Sequence, residues 1–199
     1  MKKIIIFLVL LSMLLSALVP IIANAQPDDL FLSSGEILRS LNVLQGNKDK
    51  NLMLDNKLKR QDMIVLMSRL YKEENSLKTN LIKANFTDIE DSFYETYINW
   101  AVAKGLIIGM DKDTFGFNEH VTVQQFMTVL LRVLGYDEES KLWDTVPDIA
   151  SNLGIMKDLN LNPNSHLTRG QMAVMTLNTL NLTIKGSTLP LAEALNLKM

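Results

Sequence analysis

Apolar side chains recur three and four residues apart in several short stretches of this chain, and the clearest runs from Thr122 to Gly135. Phe126, Val129, Leu130 and Val133 share one helical face there, and Met127, Leu131 and Leu134 a second. Beyond the first turn only Thr128 and Arg132 interrupt them. The pattern predicts a short helix buried on two sides. Thr122 and Gln125 stand at capping-box spacing at its start, and Gly135 follows its end. Upstream, Tyr94, Tyr97, Ile98 and Ala101 mark another helix that stops at Lys104-Gly105, a basic last turn followed by a glycine. A loop, Leu106 to His120, joins the two, so the unit reads as helix, loop, helix.

The unit recurs. Ile37 to Tyr71 lies on Trp100 to Leu134 at a constant offset of 63, with Gly46 on Gly109, Leu52 on Phe115, Leu58 on Val121 and Met63 on Phe126. At an offset of 46, Leu161, Asn164, His166, Leu167, Thr168 and Gln171 fall on Phe115, Asn118, His120, Val121, Thr122 and Gln125. Further upstream the offset becomes 49, pairing Ala150 with Ala101 and Gly154 with Gly105, so the third copy has a shorter connection. The copies are predicted over 26–74, 85–136 and 137–199, with a tail ending the third. The polar stretch from Lys72 to Asn85, centred on 75–84, serves as linker. Helices this short are not stable alone, so the expectation is one all-helical unit whose repeats bury each other.

The first 25 residues carry another signal. Lys2 and Lys3, an apolar run from Ile4 to about Ala23 and the small residues of Ala23-Asn24-Ala25 are the parts of a secretory leader, with cleavage expected after Ala25. The alternative is an uncleaved anchor, since the run is nearly long enough to span a bilayer. After cleavage the chain is expected at the cell surface or in the wall, with no membrane association. The formal charge of −2 becomes −4 when Lys2 and Lys3 leave, which argues against a nucleic-acid partner. The absence of cysteine excludes disulfides, thiol catalysis, thiolate metal sites and a lipid on an N-terminal cysteine.

Candidate chemistry is sparse. Asp111 and Asp113 followed by Gly116 start like a calcium loop, but Phe115 stands where a third ligand belongs and Thr122 where the bidentate acid belongs. His120 and His166 occupy one position of two repeats and are read as repeat homology rather than as metal ligands. Asp88, Glu90, Asp91 and Glu119 are read as solvated loop acids rather than a glycosidase pair. Trp100, Phe93, Tyr94 and Tyr97 are read first as core, with a sugar-stacking role only for those left exposed. No nucleophile elbow, phosphate loop or zinc signature occurs. No enzyme activity, cofactor or metal is expected.

The middle copy resembles an S-layer homology repeat. Phe86-Thr87-Asp88 matches the opening Phe-x-Asp, Gly105 and Gly109 bound the loop, Phe115-Gly116-Phe117-Asn118 precedes the second helix, and Leu134-Gly135-Tyr136 closes the unit. The resemblance, weaker in the outer copies, implies a pseudo-threefold, prism-like arrangement of mainly helical repeats. It also implies grooves that bind a secondary cell-wall polysaccharide, commonly one carrying a pyruvyl ketal and hence a carboxylate. In that family a Thr-Arg-Ala-Glu motif opens the second helix and its arginine meets the glycan. The matching stretches here are Lys59-Arg60-Gln61-Asp62, Thr122-Val123-Gln124-Gln125 and Thr168-Arg169-Gly170-Gln171. Arg60 and Arg169 are therefore the expected glycan contacts, with Asp88, Thr122 and Thr168 in support, and the groove at Val123 lacks its cation. Read without the family, Arg60 would pair with Asp62, and the two threonines would be caps. A surface-protein partner bound by degenerate repeats is the second functional class, and a wall-glycan hydrolase the third.

Overall fold

The computed structural model describes residues 27–77, 83–89 and 92–199; the leader expected from the sequence and its expected cleavage point lie outside them. Among the described residues there are seven α-helices: α1 (Pro27–Ser40), α2 (Arg60–Leu70), α3 (Ser92–Ala103), α4 (Val123–Val133), α5 (Val146–Leu153), α6 (Arg169–Leu180) and the single turn α7 (Leu191–Ala194). The protein is mainly helical, as the periodicity predicts. None of these helices is long and apolar enough to cross a membrane.

Local chemistry sets the ends of the elements. Thr122 accepts from the Gln125 N–H while the Gln125 side chain accepts from the Thr122 N–H, and Thr168 and Gln171 repeat this reciprocal cap on α6. At the matching position of α2 stands Lys59, which has no capping side chain. Gly105 follows α3 with φ of 72°, the left-handed turn that a glycine C-terminal stop provides. The start of the predicted linker is fastened rather than loose. Glu73 accepts from Trp100 Nε1 at 2.7 Å and pairs with Lys104 at 2.8 Å, while Glu74 pairs with Arg69 at 2.9 Å.

Among the described residues the largest helix–helix contacts run between repeats rather than within them. Helix α2 of the first repeat lies against α3 of the second, α4 of the second against α5 of the third, and α6 of the third against α1 of the first. The last interface joins one end of the described chain to the other and closes the cycle. The loops before the second helices meet at its centre. Leu58 N–H donates to Leu167 O at 2.8 Å, Leu167 N–H to Val121 O at 2.9 Å, and Val121 N–H to Leu58 O at 2.9 Å. This three-membered ring is flanked by single antiparallel bridges, Lys57 with Thr168, Lys59 with His120, and Thr122 with His166. Its three apolar side chains are buried in a core shared by all the repeats. Phe126, Val129, Leu130 and Val133, with Met127, Leu131 and Leu134, are all buried in that core, so α4 is covered on both of its predicted apolar faces.

Candidate functional site

Each second helix begins against the loop of the next repeat. The backbone N–H of Arg60 donates to Glu119 O, that of Val123 to Ser165 O and that of Arg169 to Asn56 O, at 2.9, 3.0 and 2.9 Å. These first-turn donors, which an anion would otherwise seek, are taken by protein carbonyls. Binding chemistry at the three junctions therefore falls to side chains.

At the first junction Arg60 is only 6% exposed. Its Nε donates to Phe115 O at 2.9 Å, and its guanidinium lies 5.1 Å from the centre of the Phe115 ring. Burial lowers the Arg60 pKa, and Asp88 and Glu119 oppose that shift. Gly116 makes room for the arginine stem: its φ is 86°, and a Cβ there would stand 3.1 Å from Arg60 Cδ. The other guanidinium N–H groups of Arg60 have no hydrogen-bond partner among the described residues. They border a cleft of about 450 Å3 lined also by Arg132, Lys141, Ile108, Met110 and Trp143. Arg132 donates through Nε to Ser140 Oγ and through Nη1 to Leu106 O, both at 3.0 Å. Lys141 pairs with Glu138 at 2.6 Å on the exposed surface. No carboxylate is among the residues lining the cleft. Ile108 is 71% and Trp143 48% exposed, giving the mouth an apolar rim.

The second junction repeats the geometry with different charge matching. Arg169 Nε donates to Leu52 O at 2.8 Å, the counterpart of Arg60 on Phe115, and Nη2 donates to Gln45 O at 2.8 Å. Its cleft, about 270 Å3, includes Asp62, Arg69, Phe93 and Tyr94. Burial lowers the Arg169 pKa while the nearby Asp62 raises it, and Arg69 is held by both oxygens of Glu74. This cleft carries a carboxylate of its own, Asp62. At the third junction Val123 is fully buried and offers no charge.

The remaining predicted residues hold the junctions together. Asp88 accepts from the N–H groups of Phe115, Gly116 and Phe117 at 2.7, 2.7 and 2.9 Å, fixing the loop that Arg60 grips. Burial pushes its pKa up, but these backbone bonds outweigh that and leave it below its ordinary value. Thr122 and Thr168 use their hydroxyls as helix caps. The pairing of Arg60 with Asp62 expected from sequence is not formed; Asp62 accepts from the Tyr94 hydroxyl at 3.2 Å and faces the Arg169 cleft instead. Trp100 and Tyr97 are core residues, whereas Phe93 is exposed. Arg132, Lys141 and Trp143 are the cleft residues that sequence reading missed. Arg132 left a trace as a charge interrupting an apolar helix; Trp143 lies where the third copy aligns poorly with the others.

Parts of the chain are similar to known proteins. Residues 85–127 match the model of the S-layer homology domain. The "Middle cell wall protein" of Brevibacillus brevis is 24% identical over 150 residues, which is 74% of this chain and 14% of that protein. The "Cell surface protein" of Thermoanaerobacter kivui is 25% identical over 154 residues, 76% of this chain and 20% of that protein. The chain thus spans a fifth or less of these relatives' lengths, and both similarities run well beyond the matched domain. What these similarities identify is thus one repeat: residues 85–127, which contribute the loop gripped by Arg60, match the S-layer homology domain.

Proposed function

We propose that this protein binds an anionic secondary cell-wall polysaccharide non-covalently, through the Arg60 cleft, and acts as a wall anchor rather than as an enzyme. The observation that carries the proposal is the charge of that cleft: Arg60, Arg132 and Lys141 line it without a carboxylate. A buried guanidinium with N–H groups to spare suits a sugar-borne carboxylate such as a pyruvyl ketal, and charge-assisted bonds of this kind are the strong ones. Trp143 at the rim offers a flat face for a sugar ring. The match of residues 85–127 to the S-layer homology domain and the wall- and surface-protein names of the relatives support anchoring in general. The Arg169 cleft, whose cations already have Asp62 and Glu74, is a weaker second site, and the Val123 junction binds nothing anionic. The working location is the cell wall, after removal of the leader.

Binding of purified protein to cell-wall sacculi before and after mild acid removal of the polysaccharide tests this. Loss of binding on the stripped wall is expected; undiminished binding overturns the reading. The exposed apolar residues Ile108, Leu142 and Trp143 favour a surface-protein adaptor as the second reading, and that outcome would bring it forward. Release of glycan fragments by the purified protein would instead support a hydrolase.

A further inference from the structure

The central ring brings together two residues that the proposed function does not use. The imidazoles of His120 and His166 lie with centroids 5.4 Å apart and planes inclined at 46°. Leu58, Val121 and Leu167 turn into the core, so their flanking residues emerge on the opposite side of the extended segments. Residues 57, 120 and 166 are equivalent under the repeat offsets, each sitting diagonally across one bridge of the ring from the next. Lys57 holds the third position. His166 is exposed and His120 partly so. Neither imidazole makes a hydrogen bond or ion pair among the described residues. The neighbouring groups are otherwise engaged: the hydroxyls of Thr122 and Thr168 cap helices, and Lys59 Nζ donates to Asn118 Oδ1 at 3.0 Å.

We infer that His120 and His166 form a site for a divalent transition ion of the zinc or nickel class, with water completing the coordination. Two imidazole nitrogens about 2.0–2.1 Å from one tetrahedral ion put the ring centres roughly 5 Å apart, which is the spacing observed. Neutral imidazole suits these borderline ions better than calcium or magnesium, which take oxygen ligands. Among the described residues no cluster of three or more histidine, cysteine or acidic side chains could hold a metal, so the site is two-coordinate from the protein and open. Because the ligands come from the second and third repeats, a bound ion ties those repeats together at the axis, and it stabilises the folded state by mass action.

Calorimetric titration of untagged protein with zinc chloride, and separately with nickel chloride, tests the site. One ion per chain is expected, with a higher melting temperature at saturation. His120→Ala and His166→Ala should each weaken binding at least tenfold while melting as the parent does in chelator. Lys57→His should tighten it at least tenfold by completing a three-histidine set around the axis. Absence of saturable binding, retention of binding in both alanine variants, or a Lys57→His protein that binds no tighter overturns the inference.

Discussion

At Arg60 one side chain serves two purposes, gripping Phe115 O through Nε and turning its other N–H groups toward the cleft. Arg60→Ala should therefore lower both stability and wall binding, the former by about 1–3 kcal/mol because a buried carbonyl loses its donor. Trp143→Ala separates the two effects: its side chain is half exposed, so wall binding should fall severalfold while the melting temperature stays within a degree or two. Asp88 acts on the same loop from the other side. Asp88→Ala strands three backbone N–H groups and should cost about 1–3 kcal/mol by chemical denaturation at neutral pH. The folded protein holds the Asp88 carboxyl below its ordinary pKa. Its contribution is therefore complete above the usual carboxylate range, near pH 4, and drains away as pH falls through the lowered value. Glu73 adds to this: burial pushes its pKa up, but Lys104 and Trp100 bring it net below normal. Stability should drop steeply in acid, and Asp88→Ala should flatten that drop.

The helices show which features were legible in sequence and which were not. Both capping boxes, the stop at Gly105 and the doubly buried face of α4 are local patterns, and each is present as read. Thr122→Ala and Thr168→Ala should each cost about 1 kcal/mol, measured as a shift in the denaturation midpoint. The partners of the helix starts were not legible. Sequence suggests Asp62 for Arg60 because the two are neighbours on one turn, whereas the fold directs Arg60 to Phe115 of the next repeat and Asp62 toward the Arg169 cleft. That choice depends on which way the repeats follow one another around the ring, and no local pattern encodes it. The same holds for the His120 and His166 pair, whose proximity comes from the pseudo-symmetry rather than from spacing. Helix α5 is short and follows two single 3-10 turns, 139–141 and 143–145, and Trp143 lies where the repeat signal is weakest.

Across the whole molecule, the pairing of each second helix with the following repeat makes the repeats interdependent. A fragment spanning Asn85 to Asp137 retains α3 and α4 but loses the partner of each, α2 and α5, and exposes the apolar faces that they cover. It should be poorly folded by near-ultraviolet circular dichroism and amide exchange, and the intact protein should melt in a single transition. A fragment with its own sharp melt would contradict the shared core. The ring of Leu58, Val121 and Leu167 also limits how such a protein can change by duplication. An open stack of repeats has two end faces and can lengthen one unit at a time, each new unit docking on the last. Here α6 already rests on α1, and every ring residue both gives and receives one bond, so among the described residues every junction of the ring is already taken. An inserted copy must break an existing junction to enter, whereas a second complete set of three forms a separate closed body, so the self-contained increment of growth is the triplet rather than the repeat.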